Sequence, residues 1–396
     1  MDNFVFFSPT RFVFGRDTES KAGELVKSFG GTKVLIHYGG GSVVRSGLLD
    51  RVVKSLEDSS VAYVTLGGVK PNPRSGLVRE GIELARKENV DFVLAVGGGS
   101  VIDSAKAIAL GAVYDGDFAD FYFGKDVKVP VQVTKALNVG TILTIAAAGS
   151  EGSPNTVITL EPDMLKRAAT GEVLRPKFSI LNPELTATLP PYQTACGLAD
   201  MFAHVVERYF TPTRNVTIPD EMCEAIMRTI VEEGRKTIAD PADYDARANI
   251  MWAGTVAHNN VCGVGRVQDW SSHAIEHELS ALYDCAHGAG LAVVMPAWME
   301  YVMDTDTARF ARFAERVFGV KENDLESSAK AGIRAYRQWL RFIGMPLSFS
   351  ELGAKEEDIP CLVKKLNLAG NTLGSFRPLR DGDVDAIYRL ACKEHA

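Results

Sequence analysis

Apolar residues recur along the first half of the chain in short blocks separated by longer amphipathic stretches. N-F-V-F-F-S-P-T-R-F-V-F-G alternates apolar with small or polar residues around a proline, which predicts a short hairpin or edge strands. An amphipathic helix is expected from Thr18 to Ser28. The compact run K-V-L-I-H-Y then leads into Gly39, Gly40, Gly41 and Ser42, and helical periodicity resumes through V-V-R-S-G-L-L-D-R-V-V-K-S-L. V-A-Y-V-T-L is followed by a helix over 74–88. D-F-V-L-A-V runs into Gly97, Gly98, Gly99 and Ser100, and V-I-D-S-A-K-A-I-A-L forms the next helix. Strands alternating with helices predict an α/β domain with a parallel sheet covered on both faces.

Beyond Thr188-Leu189-Pro190-Pro191 the strand-like runs stop and helical periodicity continues almost to the end. Helices are expected over 191–209, 219–237, 243–259, 268–283, 289–303, 306–317, 324–342, 355–366 and 381–393. The boundary falls near Leu189, giving an α/β dinucleotide-binding domain over 1–189 and an all-α metal-binding domain over 190–396. At 396 residues each domain has enough chain for its own core.

Glycines at the carboxyl end of a strand let backbone approach a phosphate, and the following helix offers unpaired N–H groups. Two G-G-G-S turns at βα junctions of one sheet therefore predict a phosphate-binding edge, where open α/β sheets bind ligands. The G-x-G-x-x-G fingerprint is absent, and so is the G-K-[ST] phosphate loop of the NTPases. Small residues Ala146, Ala147, Ala148 and Gly149 suggest backbone close to a ligand, with Asn155 and Lys166 as polar contacts.

The helical half carries a different chemistry. Asp200 and His204 lie four apart, as do His273 and His277, so each pair shares a helix face; His287 follows ten residues after His277. One carboxylate with two or three imidazoles can hold a divalent cation and leave a position open. Spacing alone leaves open which of the three clustered histidines is not a ligand. A dinucleotide phosphate on one wall of an interdomain cleft and a metal on the other would suit redox chemistry on a carbonyl or alcohol.

Composition narrows the classes. A net charge of −7 with scattered Lys and Arg excludes an electrostatic footprint for nucleic acid or an anionic membrane. No apolar run approaches the ~20 residues that span a bilayer, and the amino terminus has no secretory pattern. Six singly spaced cysteines form neither a disulfide framework nor a zinc knuckle, and they predict reduced thiols in the cytoplasm.

Taken together, G-G-G-S-V-I-D-S-A-K, A-G-S-E, G-L-A-D-M-F-A-H and H-A-I-E-H-E-L-S-A-L-Y-D-C-A-H-G resemble the iron-containing (group III) alcohol dehydrogenases, in particular their NADPH-dependent aldehyde reductase and butanol dehydrogenase branch. The resemblance covers nearly the whole chain. It implies Asp200, His204, His273 and His287 as ligands of one Fe²⁺ or Zn²⁺, with His277 beside the metal as the proton relay. It assigns Gly97, Gly98, Ser100 and Asp103 to the pyrophosphate, and Gly39, Gly40, Gly41 and Ser42 to the adenine-ribose turn. Asn72, Thr144, Asn155 and Lys166 become further cofactor contacts. Where the family usually has a threonine this chain has Ala148, which removes one hydroxyl contact.

The implied reaction is reversible reduction of a small aldehyde by a dihydronicotinamide. The ribose turn has no carboxylate to repel a 2′-phosphate and Arg45 lies one helical turn on, so NADP(H) is expected over NAD(H). A glycerol-dehydrogenase-like polyol oxidoreductase or a metal-dependent hydrolase are the alternatives. A phosphorylated substrate would want Lys or Arg near the metal helices, and none lies in 270–290. Trp252, Trp270, Leu279, Tyr283 and Trp298 instead suggest an apolar pocket. The family and the edge-strand character of residues 4–14 suggest a homodimer.

Overall fold

The computed structural model describes residues 1–124, 127 and 129–393; the last three residues assigned to the helical domain lie outside these. Cα packing divides the chain into one unit of Phe7–Thr188 and another of Leu189–Ala396 joined by Met1–Phe6. The first six residues thus belong with the helices, whereas the sequence placed them with the sheet.

The first unit is built on a six-stranded sheet: β1 (Arg11–Phe14), β2 (Lys33–Gly39), β3 (Ala62–Val69), β4 (Phe92–Gly97), β5 (Asn138–Leu143) and, after a separate pair, β8 (Phe178–Leu181). All pairings are parallel, in the order β1-β8-β5-β4-β2-β3. Every residue of β4 is buried, as expected of a central strand covered on both faces. Helices α1 (Ala22–Ser28), α2 (Ser42–Arg45) and α3 (Leu48–Asp58) cover one face. Val26, Val52 and Leu56 pack there on Val34, Leu94, Ile142 and Ile180. The helices α4 (Ser75–Lys87) and α5 (Gly99–Ala112) also pack on the sheet, α5 touching four of its strands.

Three details depart from the sequence expectation. No hairpin forms near the amino terminus; the proline-containing segment stays irregular and only Arg11–Phe14 pairs, as an edge strand on β8. The helix expected after Gly41 breaks in two at Gly47. A separate antiparallel pair, β6 (Asn155–Leu160) with β7 (Leu165–Thr170), occupies a stretch whose short runs carry no clear alternation.

The second unit contains α6 (Pro191–Tyr209), α7 (Thr217–Ala239), α8 (Tyr244–His258), α9 (Ser271–Tyr283), α10 (His287–Val302), α11 (Thr307–Phe318), α12 (Leu325–Phe342), α13 (Phe349–Leu352), α14 (Ile359–Leu366) and α15 (Asp381–Ala391). Helix α10 is apolar around its whole circumference and is buried accordingly, with Leu291, Val294, Met295, Trp298 and Met299 fully enclosed. No helix among the described residues is long and apolar enough to cross a membrane.

Candidate active site

Proline at the first position of α6 starts that helix without wasting an N–H donor. Asp200 and His204 follow on one buried face of it. Helix α9 opens at Trp270, which adopts a left-handed φ of 68°, and closes at Asp284, again left-handed. Gly288, at the start of α10, permits a close approach: a Cβ there would lie 2.0 Å from the Cys196 carbonyl oxygen on α6. That contact sets the start of α10, with His287, against α6.

The side chains converge on one oxygen. Asp200 Oδ1 lies 3.0 Å from His204 Nδ1, 3.8 Å from His273 Nε2 and 3.8 Å from His287 Nε2. The rings of His204 and His273 are 4.4 Å apart and those of His273 and His287 5.3 Å. Asp200 Oδ1 and His273 Nε2 are buried without a hydrogen-bond partner. Orphaned polar atoms in a core are costly, and a cation between them removes that cost. The donor atoms of Asp200, His204 and His273 all lie within 4.8 Å of one another.

Each imidazole is oriented from behind. The fully buried Glu207 accepts from the His273 backbone N–H at 3.0 Å and from its Nδ1 at 2.9 Å. Glu276, equally buried, accepts from His287 Nδ1 and from Ser280 Oγ. His204 Nδ1 donates to the Asp200 carbonyl at 2.9 Å. The bonds to Glu207 and Glu276 engage Nδ1 of His273 and His287 and leave Nε2, the nitrogen that faces Asp200, as the ligating one. Burial works against ionising Asp200, but the surrounding imidazoles outweigh it and hold the carboxyl well below its usual range. Burial likewise opposes a charge on His273, yet Glu207 and Asp200 raise it to about 9. The cluster therefore binds a proton where a cation would displace it.

His277 is half-buried, its ring 6.5 Å from that of His273 and 5.4 Å from that of His287. Its donor atom groups with those of Glu276 and His287 rather than with Asp200. The aromatic residues read as a substrate pocket fare differently. Leu279 and Trp298 are fully buried core, Trp252 is exposed on α8, and the Tyr283 hydroxyl is engaged by Asp358 and the Lys355 N–H. Along helices that are apolar on every side, periodicity does not separate core from pocket. Trp270 instead packs edge-on against the rings of His204, His258 and His273.

In the α/β unit, β2 and β4 are neighbours, while the chain runs from β2 outward to β3 and from β4 outward to β5. Their carboxyl ends, Gly39 and Gly97, therefore flank the switch point where open α/β sheets bind ligands. Gly41 has φ 121°, a conformation closed to other residues. Arg45 folds back over it, with Nη1 3.1 Å from where a Cβ would stand. Gly98 precedes α5, whose first N–H groups, at Gly99 and Ser100, have no partner within the helix.

Asp103 and Lys106 tie this turn to the segment beyond β5. The Asp103 carboxylate accepts from Ser150 Oγ at 2.5 Å and from the Val157 N–H at 3.0 Å. Lys106 donates to the carbonyls of Ser150, Ser153 and Asn155 at 2.7–2.9 Å. Lys106 is fully enclosed and Asp103 half-buried; burial pushes the Asp103 carboxyl up and the lysine down to about 8, each opposed by the other's charge. Asp103, expected to touch pyrophosphate, thus has both oxygens committed to holding a loop. Thr144 donates its N–H to the Gly97 carbonyl at 3.1 Å, and Ala148 lies 3.4 Å from where a Gly99 Cβ would be. Asn155 accepts from Thr170. The buried residues Asn72 and Lys166 are brought together because Thr159 pairs with Lys166 and donates to the Pro73 carbonyl.

Sequence spacing overlooked Glu207, Glu276, Arg208, His258 and Lys106. One signal was available: on α6, Asp200, His204 and Glu207 repeat at four and three residues along a helix otherwise filled with apolar side chains.

Known proteins are similar to this chain across nearly its full length. Residues 9–183 match the iron-containing alcohol dehydrogenases, and residues 194–392 match the carboxyl-terminal part of that family. The NADH-dependent butanol dehydrogenase A of Clostridium acetobutylicum is 40% identical over 98% of this chain and 99% of its own. The NADPH-dependent aldehyde reductase of Escherichia coli is 38% identical over 99% of this chain and all of its own. The crystal structure of NADH-dependent butanol dehydrogenase A from Thermotoga maritima superimposes with a TM-score of 0.95 at 44% identity, covering 99% of both chains. With both halves matched in order and a fold this similar, the chain belongs to the iron-containing alcohol dehydrogenase family.

Proposed function

We propose that the protein reversibly reduces small aldehydes to primary alcohols, taking hydride from a reduced nicotinamide dinucleotide. The observation that carries this reading is the convergence of Asp200, His204, His273 and His287 around the buried, unpartnered Asp200 Oδ1 and His273 Nε2, an arrangement that fits one divalent cation, Fe²⁺ or Zn²⁺. When bound, that cation supplies a Lewis acid that draws charge onto the carbonyl oxygen.

The chain's own residues supply the rest. Glu207 and Glu276 keep two imidazoles aimed at Asp200. His277, half-buried beside His287, passes the proton to and from the substrate oxygen, a role an imidazole can fill because one ring nitrogen donates and the other accepts. The Gly97–Ser100 turn and the N-terminus of α5 receive the pyrophosphate, with Lys106 and Asp103 holding the loop against it. Asn72, Thr144, Asn155 and Lys166 contribute further contacts to the dinucleotide.

NADP(H) is the preferred cofactor in this reading. Gly39, Gly40, Gly41 and Ser42 present no carboxylate, and Arg45 lies over the turn to meet a 2′-phosphate. The related butanol dehydrogenases are named as NADH-dependent and the related aldehyde reductase as NADPH-dependent, so similarity alone does not choose. Comparing kcat/KM for NADPH and NADH decides it: Arg45→Ala should lose efficiency with NADPH selectively, and a wild-type preference for NADH would overturn the assignment.

The same reading places the enzyme in the cytoplasm, consistent with six free thiols, and makes it a homodimer. Strand β1 leaves one edge unpaired, and Phe4, Val5, Phe6 and Phe7, which precede it in the chain, are 43–90% exposed. Sedimentation equilibrium tests the dimer, and a monomer at micromolar concentration would contradict it.

A further inference from the structure

Arg208, on α6 four residues after His204, is 2% exposed, and among the described residues no carboxylate forms an ion pair with it. Its neighbour Arg266 is treated differently, with Asp220 Oδ1 at 2.9 Å. Arg208 donates instead to the His204 carbonyl at 2.7 Å and to His258 Nδ1 at 3.0 Å, and it lies 4.6 Å from the centre of the Trp270 ring. A carbonyl, an imidazole and an aromatic face solvate a guanidinium without cancelling its charge. His258 cannot cancel it either, since an imidazole carries no negative charge. The thiols of Cys262 and Cys223 and, behind them, the carboxylate of Glu207 are the ionisable groups whose charge reaches it, none of them bonded to it.

A buried cation with no carboxylate bonded to it, beside a cation site, calls for an explanation, since such a charge is costly. Charge balance provides one. Among the ligands and the groups bonded directly to them, Asp200, Glu207 and Glu276 are anionic and Arg208 is cationic. Three negative charges against one positive leave two, which a divalent ion neutralises. A trivalent ion leaves one positive charge in excess within buried surroundings, where repulsion is weakly screened.

We propose that Arg208 is the fixed counter-charge that makes the site selective for divalent over trivalent metal, so that bound iron is held ferrous. This rests on the metal-site reading above. In the oxidation it opposes, a ferrous ion loses one electron to dioxygen, giving superoxide and a ferric ion beside the guanidinium.

The test uses full-length protein loaded anaerobically with Fe²⁺. Metal content is measured first, and the ferric fraction is then followed by electron paramagnetic resonance at poised potentials. Arg208→Lys retains the charge and should match wild type. Arg208→Gln keeps a donor for the His204 carbonyl but removes the charge. At a given potential its ferric-to-ferrous ratio should rise at least tenfold, which is about 59 mV for one electron. Glu207→Gln removes a negative charge and should shift the ratio the opposite way, which keeps the test intact should Arg208→Gln fail to fold. Cys262→Ser should change nothing; a shift there would make a thiolate the true partner of Arg208 and overturn the proposal. So would an iron-loaded Arg208→Gln protein with the wild-type ratio, a lysine variant that shifts as far as the glutamine one, or a Glu207→Gln protein that does not move. Wild-type protein that takes up no cation would instead overturn the metal reading itself.

Discussion

Exchanging Glu207 for glutamine converts a buried carboxylate into an amide of the same shape and removes little else. In the structure the carboxylate accepts twice from His273, through the backbone N–H at 3.0 Å and Nδ1 at 2.9 Å. The amide keeps one acceptor oxygen for one of these donors and turns an NH₂ group toward the other. Hydrogen bonds to a charged partner contribute about 1.5–3 kcal/mol each; losing one frees the imidazole to turn, and about 1.4–2.8 kcal/mol of that loss should appear as weaker metal binding. That corresponds to a ten- to hundredfold rise in Kd, the range expected for groups that orient a metal-bound histidine. Competition against a chromophoric chelator for Zn²⁺ or Co²⁺ measures it, with circular dichroism of the apoprotein as the check on folding. A folded variant whose Kd lies within twofold of wild type would refute the reasoning, because Glu207 would then be packing and not orientation.

Three further outcomes follow from named contacts. His277→Ala should lower kcat about 10²–10⁴-fold, the usual contribution of a general acid–base group, while retaining one metal per chain; loss of the metal would make His277 a ligand. His37 is fully buried in β2 between the Leu66 carbonyl and Ser104 Oγ, and burial depresses it to about 4. The unfolded chain then binds the extra proton below about pH 6.5, so stability falls as pH drops from 6.5 to 4, by about 3 kcal/mol at most. Urea titrations should show a shallower acid limb in His37→Gln, and an unchanged limb would contradict the assignment. Gly41→Ala should raise KM for the dinucleotide several-fold with little change in metal content, since φ 121° is strained for alanine; an unchanged KM would remove that turn from the cofactor site.

The residues differ in how much of this they disclosed in advance. The buried block at 92–97 and the alternation of strand, glycine turn and helix were legible because burial on both faces imposes continuous apolar runs. Helix α6 was legible to the residue, since two prolines and a long period define its start and face. The hairpin expected near the amino terminus was not legible, because pairing partners are a tertiary property and β1 finds β8 more than 160 residues away. Among the histidines at 273, 277 and 287, spacing could not say which two approach Asp200. The answer depends on the bend at Asp284 and on Gly288 meeting Cys196, neither of which leaves a periodic trace. Glu207, Glu276 and Arg208 stayed hidden for a related reason: a single charged residue on a helix reads as solvated until the structure shows it fully enclosed.

The central claim is metal-dependent hydride transfer to an aldehyde. It is tested most directly by following NADPH and NADH consumption with butanal before chelation, after chelation, and after readdition of Fe²⁺ or Zn²⁺ with metal content measured alongside. The account predicts activity that disappears with the metal and returns in proportion to its reoccupancy of one site per chain. Full activity in verified metal-free protein, or none with any reconstituted metal, several aldehydes and both cofactors, would contradict it.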